Sequence, residues 1–167
     1  YTPSGLVRKD KKVAYEMTDN DVEDLIQNYV KDIEIIKMLG FDGVELHGAH
    51  GYMIDQFFWR DTNVRKDEYG KEEDLRTKFV CEIVSRARKL VGNDFPIMLR
   101  FSQWKQQDYE ARLAPSPTEL ETFLGPISDS GVDVFHASTR RYWEPEFEGS
   151  DLNLAGWTKK ITNKPTI

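Results

Sequence analysis

The chain has 167 residues, of which 39% are hydrophobic and 31% charged, with a formal net charge of −6. This balance predicts a soluble globular segment, and no apolar run approaches the roughly 20 residues needed to span a bilayer. The acidic balance argues against a nucleic-acid partner, because phosphate binding favours a basic face. Cys81 is the only cysteine, so no internal disulfide can form, and a reducing, cytoplasmic location is expected.

The sequence at both ends of the chain is typical of positions inside a larger domain. Neither an initiating Met nor a signal-peptide pattern stands at Tyr1. The last residues, 164–167, resemble the opening of a strand. We therefore expect residues 1–167 to be a single segment of one domain, truncated at both ends.

Hydrophobic periodicity and capping residues predict helices that alternate with short strands. After a loop-like start at 1–17, Thr18 is expected to cap a helix that ends at Gly40. The predicted elements that follow are a strand at 43–47, a loop at 48–70 with a helical turn at 53–58, a helix at 72–91, a strand at 96–101, a loop at 102–115, a helix at 116–130, a strand at 132–137, a loop at 139–153, a helix at 155–162 and the start of a strand at 165–167.

The predicted loops after strands are long, and those after helices are short. This asymmetry is typical of a (β/α)₈ TIM barrel, in which the strand-to-helix loops carry the chemistry. A doubly wound α/β sheet is the rival architecture. Because a full barrel takes about 250 residues, the chain is expected to hold about half of one.

Strand alternation places several charged residues on one face of the predicted sheet. Glu45 and His47 share a face of the first strand, and Arg100 lies on the corresponding face of the second. In a barrel this face points towards the axis, where buried charges are costly unless they are paired or bind a ligand. The pattern therefore predicts a polar ligand site, the alternative being a structural pair of Glu45 with Arg100.

Two histidines and a tyrosine follow the first of these strands in the sequence His-Gly-Ala-His-Gly-Tyr, at 47–52. The carboxyl ends of strands are where parallel α/β folds bind ligands. Imidazoles can donate hydrogen bonds to a substrate oxygen, and a phenol can deliver a proton. The glycines allow a sharp turn, so His47, His50 and Tyr52 are expected to converge on one pocket.

Residues 40–57 closely resemble the signature of the old yellow enzyme family, which are FMN-dependent NAD(P)H oxidoreductases and ene-reductases on a TIM barrel. Residues 62–70, 95–102 and 131–138 match further segments of the family in order. The resemblance implies that the chain covers roughly barrel strands four to six and the start of strand seven. One departure is the sequence Tyr-Gly-Lys-Glu at 69–72, where the family usually has Tyr-Gly-Gly-Ser.

The resemblance also implies roles for individual residues. His47 and His50 would bind the oxygen of an enone carbonyl, quinone or phenolic ligand, and Tyr52 would donate a proton to the substrate carbon. Arg100, with His47 nearby, would lie beside FMN, and NAD(P)H would be the reductant. The implied partner is a small molecule, with neither nucleic acid nor membrane, and association into a homo-oligomer is left open. The family's phosphate-binding segments, after strands seven and eight, are not expected within this chain.

Two other interpretations stay open at this point. The chain could be a catalytically inactive half-barrel that associates with another chain through unpaired edge strands. His47 and His50 could also be half of a metal site in a metal-dependent TIM-barrel hydrolase, with Asp55 or Glu45 as further ligands.

Residues after the other strands carry weaker predictions. Trp104, Tyr142 and Trp143 are candidates for the walls of a substrate mouth, the alternative being ordinary loop packing. His136 stands at a strand end without a family role and is interpreted as a structural histidine.

Overall fold

A computed structural model describes residues 1–70, 72 and 76–167. Its elements, in chain order, are β1 (Leu6–Arg8), β2 (Lys11–Lys12), α1 (Asp19–Met38), β3 (Val44–His50), α2 (Met53–Phe58), α3 (Lys78–Val91), β4 (Ile97–Lys105), α4 (Pro117–Asp129), β5 (Val134–Ala137) and α5 (Leu154–Thr162).

Helix α1 begins as predicted at Thr18. The Thr18 hydroxyl accepts a hydrogen bond from the amide of Asp21 at 3.2 Å, and the Thr18 amide donates to the Asp21 carboxylate at 2.8 Å. This capping box satisfies two amides that the helix itself leaves without partners. Val22 and Ile26 are fully buried on the inner side of the helix. The helix ends at Met38, and Gly40 leaves it with a φ of +86°, as the glycine predicts.

Other element boundaries differ from the sequence predictions. The predicted loop at 1–17 contains the small hairpin of β1 and β2. Strand β3 continues to His50 and β4 to Lys105, so both extend into regions predicted as loops. Helix α3 begins at Lys78 instead of residue 72, and Lys71 and residues 73–75 lie outside the described residues. The predicted helical turn at Met53–Phe58 is confirmed.

The strands β3, β4 and β5 form one parallel sheet in consecutive order. The predicted strand at 165–167 begins beside β5, where the amide of Phe135 donates to the carbonyl of Pro165 at 3.1 Å and that of Ala137 to Ile167 at 2.8 Å. A doubly wound sheet reverses its strand order at a switch point, whereas a barrel adds strands in sequence. The described strands show no reversal, and the order therefore favours the barrel.

The helices cover one face of this sheet. Leu46, Leu99 and Phe135 are buried on the covered face, and Phe101 packs at 5.9 Å from Phe123 of α4. The opposite face, which we call the open face, carries Glu45, His47, Met98, Arg100, Val134 and His136. The alternation predicted from sequence is confirmed for both faces.

The open face differs from the sequence prediction in two respects. Glu45 and His47 were expected to be buried at a barrel axis, but both are exposed, because the described part of the chain supplies no element that covers this face. The alternative pair of Glu45 with Arg100 is wrong. Glu45 instead lies 2.8 Å from Nδ1 of His136, two strands away. His136 therefore has a structural partner, as its interpretation as a structural histidine predicted.

The described residues contain no helix that is both long and apolar enough to cross a membrane.

Candidate active site

The end of β3 turns sharply between His50 and Gly51. Both residues have positive φ angles, +64° and +81°. For a non-glycine residue such as His50 this conformation costs about 1–2 kcal/mol, so the surrounding structure must hold it. The amide of His50 donates to Oγ of Ser102 at 2.9 Å, and the carbonyl of His50 accepts from the amide of Gln106 at 3.2 Å. The backbone amide and the backbone carbonyl of His50 therefore both bind the turn to the end of β4.

This turn brings the three predicted side chains together. The ring of His47 lies 5.2 Å from that of His50 and 5.5 Å from that of Tyr52, measured between ring centroids. His50 is buried, whereas Tyr52 is 46% exposed and its hydroxyl donates to Oε1 of Gln106 at 2.8 Å. His47 has no hydrogen bond to any residue that the structure describes, so its ring nitrogens are available to a ligand.

Arg100 lies beside this cluster on the open face. It is in register with His47 on one side and with His136 on the other. Its Nη2 donates to Oγ of Ser138 at 3.1 Å, and the same oxygen lies 2.8 Å from Nε2 of His50. Ser138 therefore joins Arg100 to His50. Sequence reasoning missed this serine, although its position just beyond the third strand was a signal.

A buried ion pair lies beneath the turn. Nζ of Lys105 is 2.6 Å from Oδ1 of Asp55, and both side chains are 0% exposed. The second oxygen, Oδ2, accepts from the amide of Gly51 at 2.7 Å, and Lys105 also donates to the carbonyl of Ser102 at 3.1 Å. The pair thus links α2, the turn and the end of β4.

Sequence reasoning considered Asp55 only as a metal ligand and placed Lys105 in a loop. The alternation of β4 continued past Phe101 would give Lys105 the same side as Phe101, and this was the signal available for burial of the lysine.

An aromatic wall extends from His50. The ring of Trp104 stacks on that of His50 at 4.5 Å, and Tyr109 follows at 5.6 Å. A cavity of about 290 Å³ adjoins this wall, between the loops that follow β4 and β5. Trp104 lines this cavity, and whether the cavity is a substrate mouth stays a prediction. Tyr142 and Trp143 instead pack on each other at 5.3 Å and do not line the cavity.

Comparison with known proteins identifies the family of this chain. Residues 2–150 match the model of the NADH:flavin oxidoreductase / NADH oxidase family. The chain belongs to this family. It is 38% identical to an NADH oxidase of Thermoanaerobacter brockii over 91% of this chain and 24% of that protein. It is 31% identical to an NADPH dehydrogenase of Clostridium acetobutylicum over 99% of this chain and 49% of that protein.

The fold is also that of a solved structure. An old yellow enzyme homologue from Zymomonas mobilis superposes with a TM-score of 0.74 at 23% identity, over 94% of this chain and 45% of that one. The architecture is therefore α/β with a parallel sheet, similar to old yellow enzyme TIM barrels. The chain spans half or less of the relatives it matches. The family predicted from residues 40–57 is confirmed, and it implies FMN and NAD(P)H as cofactors.

The open face of this flavin-family chain offers a polar group that fits a flavin. Nε of Arg100 is buried and has no hydrogen-bond partner among the described residues. A buried N–H without a partner costs about 1–3 kcal/mol, and a flavin ring carries acceptor atoms that would satisfy it. Arg100 therefore fits a flavin ring, and His47 is its neighbour in register on the open face.

The described residues do not support the metal interpretation. No group of three or more His, Cys, Asp or Glu side chains among them is arranged to hold a metal ion. Both oxygens of Asp55 are engaged by Lys105 and Gly51, and Glu45 contacts His136. The two residues proposed to complete a site with His47 and His50 thus have other partners.

The histidines of this site are held in the neutral form. Burial lowers the pKa of His50 to about 4, and the positive charge of Arg100 adds to the effect. Partial desolvation of the exposed His47 ring by its neighbours, together with the charge of Arg100, lowers the pKa of His47 as well. At neutral pH each imidazole therefore has one N–H donor and one acceptor nitrogen.

We expect an NMR titration of the His50 ring to give a midpoint near pH 4. Because this value lies below the ordinary pKa of about 6.5, the folded state disfavours the proton. The contribution of His50 to stability should be complete above pH 6.5 and be lost as the pH falls towards 4. The variant His50→Gln should lack this loss, and a midpoint near 6.5 would contradict the environment described.

We expect the ion pair beneath the turn to show its role in a double-variant cycle. Asp55→Leu or Lys105→Met alone leaves a buried charge without a partner and should cost about 3–5 kcal/mol of unfolding free energy. The double variant should recover most of that loss in urea unfolding. It should still show faster hydrogen exchange at the amide of Gly51, which loses its acceptor. Glu16→Gln, in the exposed pair with Lys12, is the control and should cost less than about 1 kcal/mol. Slow exchange in the double variant would show that the pair does not hold the turn.

Proposed function

We propose that the protein containing this chain is an FMN-dependent NAD(P)H oxidoreductase that reduces activated alkenes such as enones. Residues 1–167 would form one segment of its TIM-barrel domain, from strand four to the start of strand seven. The observation that carries the proposal is the cluster of His47, His50 and Tyr52 next to Arg100, at the carboxyl edge of a parallel sheet in a flavin-family chain.

The two histidines are proposed to bind the carbonyl oxygen of the substrate. Transfer of two electrons from NAD(P)H to the substrate is the chemistry that FMN supplies when bound. Reduction of an enone places negative charge on the carbonyl oxygen, and a positioned donor at such an oxygen is worth about 3–4 kcal/mol. His47 has ring nitrogens without partners among the described residues. To bind the carbonyl oxygen through Nε2, His50 must share its contact with Ser138 or give it up.

Tyr52 is proposed to donate the proton that completes the reduction. Its ring adjoins His47, and its phenol lies at the exposed side of the cluster. The hydroxyl donates a hydrogen bond to the side-chain amide of Gln106. This bond must break before Tyr52 can deliver its proton to the substrate carbon. Gln106 therefore holds the phenol in place between turnovers.

Arg100 is proposed to provide permanent positive charge beside the flavin. A guanidinium keeps its proton under all ordinary conditions and can donate in a fixed plane. Its Nε without a partner among the described residues and its bond to Ser138, which also contacts His50, support this role.

One observation favours a second candidate for the chain taken alone. Among the described residues, β3 pairs only with β4, so its other edge carries unpaired backbone groups next to the exposed open face. Such an edge favours association with another chain. The isolated 167-residue chain would then be an inactive half-barrel that forms oligomers, while the full-length protein carries the activity.

The variant His47→Ala of the full-length flavoprotein tests the proposed function. We expect it to keep the yellow colour of bound flavin, to bind phenol more weakly in a flavin absorbance titration, and to reduce a cyclic enone about 10²-fold more slowly. The matched control is His136→Ala, which removes an imidazole from the same face and should retain both properties within a few-fold. Unchanged phenol affinity and enone reduction in His47→Ala would exclude the assigned role. A colourless full-length protein would reject the flavin proposal itself.

A further inference from the structure

The cavity beside the aromatic wall carries an inference about the substrate, which rests on the proposed function. We propose that Arg140 binds a carboxylate at the far end of the substrate, so that the preferred substrates are elongated, flat, activated alkenes bearing a negative charge. The reacting carbonyl would lie at His47 and His50, and the carboxylate at the opposite end of the wall.

The cavity adjoins the proposed catalytic cluster through two residues. Trp104 lines the cavity and stacks on the ring of His50 at 4.5 Å. Ser138 also lines it, and its Oγ lies 2.8 Å from Nε2 of His50. A ligand in the cavity therefore contacts the same two side chains that fix the catalytic histidine. Its volume of about 290 Å³ is close to the lower limit of ordinary ligand pockets, roughly 300 Å³.

The wall of the cavity suits a flat body. From Trp104 the ring of Tyr109 follows at 5.6 Å with an interplanar angle of 32°, and the guanidinium of Arg140 lies 4.4 Å from the centroid of Tyr109. The wall thus runs through three successive contacts from His50 to Arg140, so a ligand that reaches both ends is longer than a single ring.

Most charges around the cavity neutralise one another. Arg112 lies 2.8 Å from the carboxylate of Glu146, which also accepts from Gln103 at 3.0 Å. Arg141 lies 3.2 Å from the carboxylate of Glu144. These two arginines therefore have carboxylate partners within the protein and are poor candidates for binding a substrate anion.

Arg140 is different from its two neighbours. No carboxylate of the described residues lies within ion-pair distance of it, and its guanidinium stacks on the ring of Tyr109. A guanidinium that stacks on a ring keeps its N–H donors in its own plane, where a carboxylate can accept two of them. Glu110 is the remaining acid of the lining, and its negative charge opposes anion binding from the same cavity. Arg140 is thus the cation available to the substrate, and the negative charge of Glu110 weakens the binding of a carboxylate there.

The test compares two substrates in the full-length flavoprotein. One is an aryl enone whose far end carries a carboxylate, and the other is its methyl ester, which has the same skeleton without charge. We expect Arg140→Gln to lower kcat/KM for the acid at least 10-fold, mainly through KM, and to leave the ester within 2-fold. Arg140→Lys should restore part of the loss, because the charge remains. Glu110→Gln should lower KM for the acid.

Arg141→Gln is the matched control, since Arg141 already pairs with Glu144, and it should change neither substrate. Equal losses for acid and ester in Arg140→Gln would assign Arg140 a structural role and overturn the proposal. A rise in KM for NADPH with both substrates unaffected would assign it to the nucleotide and overturn it as well. Wild-type protein that reduces neither substrate would reject the proposed function. Reduction of both with no effect of Arg140→Gln would reject this inference alone.

Discussion

The geometry of this site depends on the contacts that the carboxylate of Asp55 makes. One of its oxygens pairs with Lys105 and the other accepts from the amide of Gly51, in surroundings that exclude water from both side chains. Burial lowers the pKa of Lys105 and raises that of Asp55, whereas each charge favours the ionised form of the other. Removing water from two ions is costly. The chain offsets this cost with further hydrogen bonds to Ser102 and Gly51, and the bond to Gly51 fixes a backbone turn that His50 adopts at an energetic disadvantage.

The buried ion pair lies apart from the side chains of the proposed reaction. Lys105 is fully buried against Asp55 of α2, whereas His47 and Arg100 lie on the open face. The turn at His50 and Gly51 is where one face meets the other, because its amide contacts Asp55 on the covered side while its imidazole contacts Ser138 on the other. The position of the imidazole therefore depends both on the buried ion pair and on Ser138.

Much of this arrangement could be predicted from the sequence because it rests on local patterns. A threonine followed by an acid at the correct spacing predicted the start of α1, and alternation predicted which face His47 and Arg100 share. Convergence of His47, His50 and Tyr52 followed from their place at a strand end. The roles proposed for them are still predictions, as is the extent of the barrel.

The remainder depends on contacts between residues far apart in the chain. Alternation assigns Glu45 to a face but does not choose its partner. Its register neighbour on β4 is Met98, and its carboxylate reaches past that strand to His136. Similarly, β3 and β4 run beyond their predicted ends because their register shifts between Gly48 and His50 while pairing continues. Such a shift joins residues more than fifty positions apart, and no local pattern records it.

The charge distribution of the site is consistent with separate roles for Arg100, the two histidines and Tyr52 in the proposed reaction. Arg100 is a permanent cation in register with His47, and its field helps to keep both neighbouring imidazoles neutral. A neutral imidazole can donate its N–H to a developing enolate, but it is a very weak acid. Two such donors stabilise negative charge on oxygen without delivering a proton there. The proton must then come from a different group, and the phenol of Tyr52 is the adjacent acid that the same turn brings into contact with His47.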